Sequence, residues 1–384
     1  MKKAIQERIN LLREFSIPLV CGVVLALLWA NLDPEGYQRF ITAPSFGGFS
    51  FHALSNELFM VLFFGIAAVE ITQSFLPGGD LYPVSRAVNP LLGTLGGVLG
   101  PVAVYLGLNA VIGAPELRNG WGIPTATDIA LAWLAARLVF GGGHPAVSYL
   151  LLLAVADDAL GLAIIAVFYP DPLHPAAPSW LLLTGLGMAA AYVLRRLKVK
   201  SYWPYLIFGG ALSWLGLHRA HLHPALALVF IIPFLPHRRR ETRHLFEEDP
   251  SDRSTLATFE HEWKVVVDFG MFAFGLANAG VEFSSVGTVT WLVLIALIAG
   301  KTAGILGFGY LAERIGFGLP HGMQQRDLLV VGMIAGTGFT VALFVAGEAF
   351  VDPVTRGAAK MGAMLSILAA LGGIVLGRLT GIRK

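Results

Sequence analysis

The stretch Leu150-Leu-Leu-Leu-Ala-Val-Ala-Asp-Asp-Ala-Leu-Gly-Leu-Ala-Ile-Ile-Ala-Val-Phe168 is apolar apart from two adjacent aspartates, Asp157 and Asp158. It is long enough to cross a bilayer as a helix, which takes about 20 residues. A charged side chain at mid-bilayer costs roughly 2.5 to 3.5 kcal/mol on insertion scales, so acids at that depth usually have a function. The pair therefore indicates that a cationic species enters the membrane here.

The rest of the chain has the composition of an integral membrane protein. Of its 384 residues, 55% are hydrophobic and only 14% are charged, which is typical of all-α membrane proteins. Apolar runs of about 17 to 25 residues predict spans at 12–31, 55–75, 87–109, 124–138, 146–169, 179–196, 202–217, 223–236, 262–281, 289–312, 326–349 and 358–378. The fourth and eighth are short, which indicates helices that break or tilt. We expect one transmembrane domain over residues 1–384.

The distribution of the 27 lysines and arginines predicts the orientation. Cytoplasmic loops carry an excess of these residues. With a cytoplasmic amino terminus, the following fall inside: Lys2, Lys3, Arg8, Arg13, Arg195, Arg196, Lys198, Lys200, Arg238, Arg239, Arg240, Arg243, Arg378, Arg383 and Lys384. The outside receives Arg39, Arg118, Arg219, Arg356 and Lys360. Both termini are therefore expected in the cytoplasm.

Two loops are long enough to need an interpretation. The cytoplasmic loop 237–259 is polar and too short for a domain. In the external loop 33–52, Gly and Pro punctuate aromatic and β-branched residues, a pattern also found in short β-hairpins. Two interpretations are left open, a plain irregular loop and a hairpin that could pair with a second protomer. The single cysteine, Cys21, excludes an intramolecular disulfide. The basic residues serve orientation, so membrane lipid is an expected partner and nucleic acid is not.

Among the ionisable residues inside the predicted spans, four matter most for this interpretation, namely Glu57, Glu70, Asp128 and Lys301. Asp128 follows Pro124, which denies a helix one hydrogen bond, and such broken backbone is tolerated in a membrane where it lines a cavity. Lys301 is interpreted as the one intramembrane cation, flanked by glycines that allow close helix approach. It should pair with an aspartate.

Adjacent helical residues point about 100° apart, so Asp157 and Asp158 need different partners. One is expected to pair with Lys301, and the other to face an aqueous cavity with Asp128 and the Thr127 hydroxyl. A carboxylate among hard oxygens suits a small cation or a proton.

Several structural interpretations stay open beside this one. Asp157 could serve only the ion pair with Lys301, and Asp128 could serve only to neutralise helix ends. Glu57 and Glu70 could be interfacial residues. Asp268 could pair with Lys264, one helical turn away.

Five segments resemble the NhaA sodium/proton antiporter family and follow its order along the chain. They are residues 122–130, 154–161, 274–281, 298–304 and 336–341. The family is itself a known example of inverted-topology repeats with discontinuous helices. The resemblance implies that spans three to five and ten to twelve form such a repeat, with the fourth and eleventh spans crossing as broken helices at Pro124 and Thr125 and at residues 336–338.

The resemblance also implies roles for individual residues. Asp157 and Asp158 would carry the proton and bind the transported Na⁺, with Thr127 contributing an oxygen. Asp128 and Lys301 would compensate the charges of the crossing half-helices.

The implied activity is that of a secondary active transporter, not an enzyme, without cofactors. It would exchange cytoplasmic Na⁺ or Li⁺ for external H⁺, electrogenically and by alternating access. The resemblance further implies a prokaryotic inner membrane, a role in pH homeostasis and salt tolerance, and a homodimer.

The chain departs from the family pattern at the residues that the resemblance associates with pH response. Glu70, Glu260, His261 and His223 match, but uncharged residues follow Glu70 and a lysine stands near the next family histidine. We therefore expect a broader or shifted pH range.

Two other classes are compatible with intramembrane acids. A sodium-coupled symporter of related fold would need a polar pocket for an organic solute, and no such cluster is evident in the sequence. An intramembrane aspartyl protease would need two aspartates facing one water. Asp128 and Asp158 could form that pair, but the glycine-aspartate signature is absent and Lys301 would suppress a shared proton.

Overall fold

The computed structural model describes residues 17–46, 48–76, 84–141, 143–170, 177–237 and 254–382. Most of the expected cytoplasmic loop 237–259 lies outside these residues. The α-helices, in chain order, are α1 (Ile17–Leu32), α2 (Pro34–Thr42), α3 (Phe51–Phe75), α4 (Val84–Ile112), α5 (Ile129–Phe140), α6 (Pro145–Phe168), α7 (Leu181–Arg196), α8 (Ala211–Arg219), α9 (Thr255–Asn278), α10 (Thr288–Arg314), α11 (Gln325–Ala335), α12 (Phe339–Ala349) and α13 (Pro353–Leu379).

Shorter helical segments complete this set. Stretches of π-helix, Leu54–Phe59 and Ala296–Gly300, lie within α3 and α10, and a third, Tyr205–Gly210, leads into α8. The 3₁₀ segments are Pro115–Thr125, Pro178–Trp180, Pro224–Leu226, Ile232–Phe234 and Phe283–Ser285. A turn at Ser366 interrupts α13.

Several helices in the described residues are suited to crossing a membrane. Five are long and apolar enough to cross a bilayer: α3, α4, α6, α10 and α13. Two bent pairs each count as one further span, with 55° between Pro115–Thr125 and α5, and 46° between α11 and α12. The helices α1, α7, α8 and α9 occupy four other expected spans but are shorter or more polar. The expected all-α membrane fold is confirmed.

The eighth expected span, 223–236, is not a continuous α-helix. It consists of two 3₁₀ segments, Pro224–Leu226 and Ile232–Phe234, joined by turns. Pro233 lies inside the second segment and has no backbone N–H to donate, so an α-helix cannot continue through it unbroken.

The hairpin interpretation of residues 33–52 is wrong for its first half. Residues Pro34–Thr42 form α2, because Asp33 accepts the Gly36 N–H at 3.0 Å and proline is favoured in a first helical turn. The strands β1 (Pro44–Phe46) and β2 (Phe49–Ser50) then pair antiparallel, with Pro44 opposite Ser50. Gly48, with φ at 92°, provides the left-handed turn between them.

The helices pack in two groups. The crossing group contains α4, Pro115–Thr125, α5, α6 and α10 to α13; the flanking group contains α1, α3, α7 to α9 and the 224–234 segment. One buried apolar cluster is built from the crossing group and another from the flanking group. Contact between the groups includes α3 against α6 and α9 against α12. Within the crossing group, the order long helix, bent pair, long helix occurs twice.

Glycines set the distance between α4 and α10. A Cβ atom on Gly96 would lie 2.1 Å from the Gly304 carbonyl oxygen, and one on Gly300 would lie 2.7 Å from the Cα atom of Pro101. Small residues allow helix backbones to approach closely in membranes. Because Lys301 follows Gly300 directly, this contact positions the lysine.

Candidate functional site

The two bent spans touch at their breaks. Residues 126–128 separate Pro115–Thr125 from α5, and residues 336–338 separate α11 from α12. The Asp128 N–H donates to the Thr337 carbonyl oxygen at 2.6 Å. Unwound backbone in one span thus satisfies unwound backbone in the other, which meets the requirement that polar groups in a membrane be paired internally.

Asp128 lies at the amino ends of two half-helices at once. Its Oδ1 atom accepts the Leu131 N–H in α5 at 3.0 Å, and its Oδ2 atom accepts the Thr340 N–H in α12 at 3.3 Å. Helix amino ends carry partial positive charge, so a carboxylate there is stabilising. Asp128 is 3% exposed. The geometry therefore suits charge compensation at the crossing.

Lys301 contacts the opposite kind of helix end. Its Nζ atom donates to the Thr125 carbonyl oxygen at 2.6 Å, where Pro115–Thr125 ends, and to Asp157 Oδ2 at 2.5 Å. Neither charged side chain of this pair is exposed. The expected pairing of Lys301 with an aspartate is present, and Asp157 is the partner.

The Thr127 hydroxyl serves Asp157. Its Oγ1 atom lies 2.8 Å from Asp157 Oδ2 and 2.8 Å from the Ala335 carbonyl oxygen, and its single proton can be donated to only one of them at a time. The expectation that Thr127 and Asp128 surround the acid that is not paired with Lys301 was wrong. Asp128 is held by the two helix ends, and the neighbouring Thr127 faces Asp157 instead.

Each aspartate of the pair keeps one oxygen without a partner. Among the described residues, Asp157 Oδ1 and Asp158 Oδ1 are buried and accept no hydrogen bond. Asp158 is 9% exposed and forms no ion pair within 4 Å of a described cation. Buried polar atoms are normally paired, so these two oxygens are available to bind a proton or a cation.

The donor set at the crossing suits a small hard cation or a proton. The described residues contain no group of three or more His, Cys, Asp or Glu side chains that could hold a resident metal ion. Carboxylate, hydroxyl and carbonyl oxygens are available instead, and these are ligands of hard cations. The Thr337 hydroxyl at the second break is also buried and unpartnered in the described part of the chain.

The residues expected to respond to pH fall into two places. Lys264 lies between Glu70 and Glu260, with Nζ–Oε1 distances of 3.7 and 3.6 Å, and Gln73 Nε2 donates to Glu260 Oε2 at 2.6 Å. His261 is exposed on α9 beside this cluster. His223 lies elsewhere, with its Nε2 atom 3.4 Å from Glu348 Oε1.

Two charged residues, Lys360 and Glu348, were not counted among the ionisable groups inside the membrane in the prediction from sequence. Lys301 is not the single intramembrane cation, because Lys360 is 8% exposed within α13. Asp352 starts that helix by accepting the Thr355 N–H at 2.8 Å, and the Thr355 hydrogen bonds lower the pKa of the Asp352 carboxyl. Lys360 therefore lies two turns inside the helix. Glu348, near the end of α12, was also missed, although it falls inside the predicted span 326–349.

Broken helices that meet at buried ionisable groups in an all-α membrane protein are typical of secondary transporters. The chain matches the family described as Na⁺/H⁺ antiporter 1 over residues 9–377. The chain therefore belongs to the NhaA family of Na⁺/H⁺ antiporters, and the resemblance found in the sequence is confirmed.

Similar proteins support this assignment over the full length. The chain is 75% identical over 379 residues to Na⁺/H⁺ antiporter NhaA 2 of Pelobacter propionicus, with 99% of each chain covered. It is 70% identical over 379 residues to Na⁺/H⁺ antiporter NhaA of Geobacter sulfurreducens, again with 99% of each covered. The fold resembles that of the sodium proton antiporter MjNhaP1 from Methanocaldococcus jannaschii at pH 8, with a TM-score of 0.50 and 14% sequence identity. The match covers 94% of this chain and 97% of the MjNhaP1 chain.

Proposed function

We propose that the protein exchanges cytoplasmic Na⁺ or Li⁺ for external H⁺ across a prokaryotic inner membrane, by alternating access at Asp157 and Asp158. One observation carries the proposal: of two adjacent buried carboxylates only Asp157 pairs with the Lys301 ammonium, and each carboxylate retains an oxygen without a partner in the described residues. Ionisable groups inside a membrane are costly and mark ion pathways.

The charges at the site explain why the two ions exclude each other. With both aspartates ionised, Lys301 balances one negative charge and one remains. A Na⁺ ion can supply the missing positive charge only while both carboxylates are ionised, and protons bound to Asp157 and Asp158 remove the negative charge that holds it, so protons and Na⁺ exclude each other. Sodium bound between Asp157 and Asp158 would draw Asp157 away from Lys301, and the Thr127 hydroxyl could then turn fully to Ala335.

The two helical groups supply a moving part. The binding residues lie in the crossing group, and the flanking group covers them from α3 and α9. A displacement of one group against the other would expose the aspartates first to one side of the membrane and then to the other. Asp128 and Lys301 would travel with the site, so the half-helix ends stay compensated throughout.

Electrogenic exchange is the form of the cycle that we propose. If more protons enter than sodium ions leave, net charge crosses the membrane, and the potential drives transport as well as the pH gradient. Such a transporter can expel sodium even without a pH gradient. That property would support both pH homeostasis and salt tolerance.

The alternative functions receive less support from the geometry. An aspartyl protease would need Asp128 and Asp158 to share one proton and one water. Both Asp128 oxygens already accept backbone N–H groups from two helices. No described feature of the crossing favours an organic solute, which a symporter would carry.

Everted membrane vesicles provide the test. The vesicles are energised to an acidic interior, and addition of Na⁺ or Li⁺ should then dissipate the proton gradient, whereas K⁺ should not. Asp158→Asn should lose this response, because an amide carries no charge to bind either ion. The matched control is Glu35→Gln, which neutralises an exposed acid on α2 and should retain full exchange. Full exchange by Asp158→Asn would refute the site assignment.

A further inference from the structure

Polar side chains from five chain segments meet at the end of the molecule away from Glu70 and Glu260. They are His52 and Asn56 of α3, His223 directly before the 224–234 segment, Asn278 of α9, Glu348 of α12 and Lys360 of α13. The predicted orientation places this end on the outer face. The proposed exchange at the aspartates involves none of these residues except His223, which was expected to respond to pH, so the cluster needs an explanation of its own.

The contact between His223 and Glu348 has a defined donor. His223 Nδ1 accepts the Ala225 N–H at 3.3 Å, so the ring proton belongs on Nε2 when the imidazole is neutral. Nε2 lies 3.4 Å from Glu348 Oε1 and donates to it. The ring also packs edge-on against Phe344, with 4.8 Å between centroids. The contact therefore needs no protonated histidine and has a fixed orientation.

The contact between Lys360 and Asn278 lies beside it. Lys360 Nζ donates to Asn278 Oδ1 at 3.4 Å, and Asn278 exchanges amide hydrogen bonds with Asn56 at 2.7 and 3.2 Å. Asn56 in turn contacts His52 Nε2 at 3.2 Å. Glu348 interacts electrostatically with His52, His223 and Lys360. The glutamate thus lies among the cationic and imidazole groups of the cluster.

Both contacts join one helical group to the other. His223 and Asn278 belong to the flanking group, whereas Glu348 and Lys360 belong to the crossing group. If the groups separated at this end, Lys360 would lose its hydrogen bond to Asn278 and Glu348 would lose its hydrogen bond from His223. The Lys360–Asn278 contact is buried, so breaking it leaves a buried ammonium without that partner and is costly. The His223 and Glu348 side chains are 10% and 27% exposed, so their contact adds less.

We propose that His223, Glu348, Asn278 and Lys360 form an outer latch, which holds the external face closed while the aspartates are open to the cytoplasm. The inference rests on the proposed alternating access. It assigns to Glu348 and Lys360 a positioning role, because neither residue binds the transported ions. Removing the latch shifts the population toward the outward-open state, since only one of the two states makes these contacts.

Ser55 offers a reporter of outward opening. It precedes Asn56 in α3 and is 3% exposed, with a hydroxyl that has no hydrogen-bond partner in the described residues. In a Cys21→Ser background, Ser55→Cys introduces the only thiol of the protein. A membrane-impermeant maleimide added to right-side-out vesicles should label this thiol slowly while the latch is closed.

The deciding comparison is between two external glutamates. Glu348→Ala should raise the labelling rate about tenfold, because labelling follows the population of the outward-open state. Glu282→Ala should leave the rate unchanged, because exposed Glu282 only accepts a hydrogen bond from Ser284. Equal labelling of these two variants would overturn the latch.

An engineered metal bridge tests the same contact by strengthening it instead of removing it. A variant that responds to Zn²⁺ in this way must be folded, so misfolding cannot explain the result. Glu348→His places a second imidazole opposite His223, and Zn²⁺ binds imidazole nitrogen. External Zn²⁺ should slow labelling in Glu348→His and have no effect in Glu348→Ala. Unchanged labelling in Glu348→His would also overturn the latch. Labelling requires no transport, so these failures stay distinct from loss of Na⁺/H⁺ exchange by the parent protein.

Discussion

At the scale of single residues, the complete burial of Lys301 determines how much its loss lowers the stability of the protein. The ammonium is the described cation that pairs with Asp157, and it also satisfies the Thr125 carbonyl oxygen. Without it, a carboxylate stays inside the protein with only the Thr127 hydroxyl beside it. A buried charge that loses its partner costs far more than a surface charge that does.

Lys301→Ala should therefore lower the free energy of unfolding by about 3 to 5 kcal/mol. The measurement is thermal unfolding of purified protein in detergent. Lys200→Ala is the matched control, because the Lys200 side chain is exposed and forms no ion pair with a described acid, and such surface substitutions change stability by about 0.5 kcal/mol or less. Adding Asp157→Asn to Lys301→Ala should restore part of the stability. Equal losses in the two lysine variants would contradict the buried pair.

The Thr127 hydroxyl supports a second residue-scale prediction. Thr127→Val removes the donor to Asp157 while keeping the shape of the side chain, so sodium should lose one oxygen ligand. The apparent KM for Na⁺ should rise about tenfold, which corresponds to about 1.4 kcal/mol. Thr127→Ser keeps the hydroxyl and should retain a KM close to that of the parent. The check is Na⁺-dependent dissipation of a proton gradient; an unchanged KM in Thr127→Val would remove Thr127 from the site.

At the scale of helices, the contact of α4 with α10 is the most demanding piece of packing. A Cβ atom on Gly304 would lie 1.9 Å from the Gly96 carbonyl oxygen, whereas one on Gly307 of the same helix would meet nothing within 4 Å. The conflict at Gly304 is with backbone, which cannot move aside as a flexible side chain can.

Gly304→Ala should consequently destabilise the protein by about 1 to 3 kcal/mol, as overpacking does, and should impair exchange by displacing Lys301. Gly307→Ala should leave both properties nearly unchanged. Thermal unfolding and vesicle exchange assays measure the two effects. Equal behaviour of the two alanine variants would mean that α4 and α10 do not approach as closely as described.

The same scale shows what the sequence could and could not predict. Apolar runs located α3, α4, α6, α10 and α13, because burial in lipid demands length and hydropathy that are visible locally. The break near Pro124 was also visible, and the break at residues 336–338 was implied by the family resemblance. The partner of Thr127 was not visible, because it depends on how α6 and α11 pack around the unwound residues 126–128 and place Asp157 and Ala335 beside the hydroxyl. Lys360 was assigned to the outside although it lies near the start of the predicted span 358–378; the helix begins five residues earlier, at Pro353, and so places Lys360 deeper than that span did.

At the scale of the whole molecule, the charge carried across the membrane distinguishes two kinds of cycle. The site contains two acids and one base, and Asp128 is occupied by helix ends. If two protons return for each sodium ion expelled, each turnover moves one net positive charge inward. A potential of 100 mV, negative inside, then contributes about 2.3 kcal/mol per cycle. An exchange of one proton for one sodium ion would gain nothing from it.

Right-side-out vesicles loaded with K⁺ and radioactive Na⁺ separate these cases. Valinomycin in K⁺-free medium generates a potential that is negative inside, and with no pH gradient this potential should accelerate Na⁺ efflux. At equilibrium it should support a sodium gradient of roughly fiftyfold per 100 mV, since 1.4 kcal/mol corresponds to a factor of ten. Asp158→Asn vesicles should show no such efflux, which excludes leakage. Efflux that is insensitive to valinomycin would leave antiport intact but make it electroneutral, because the potential acts only on net charge moved.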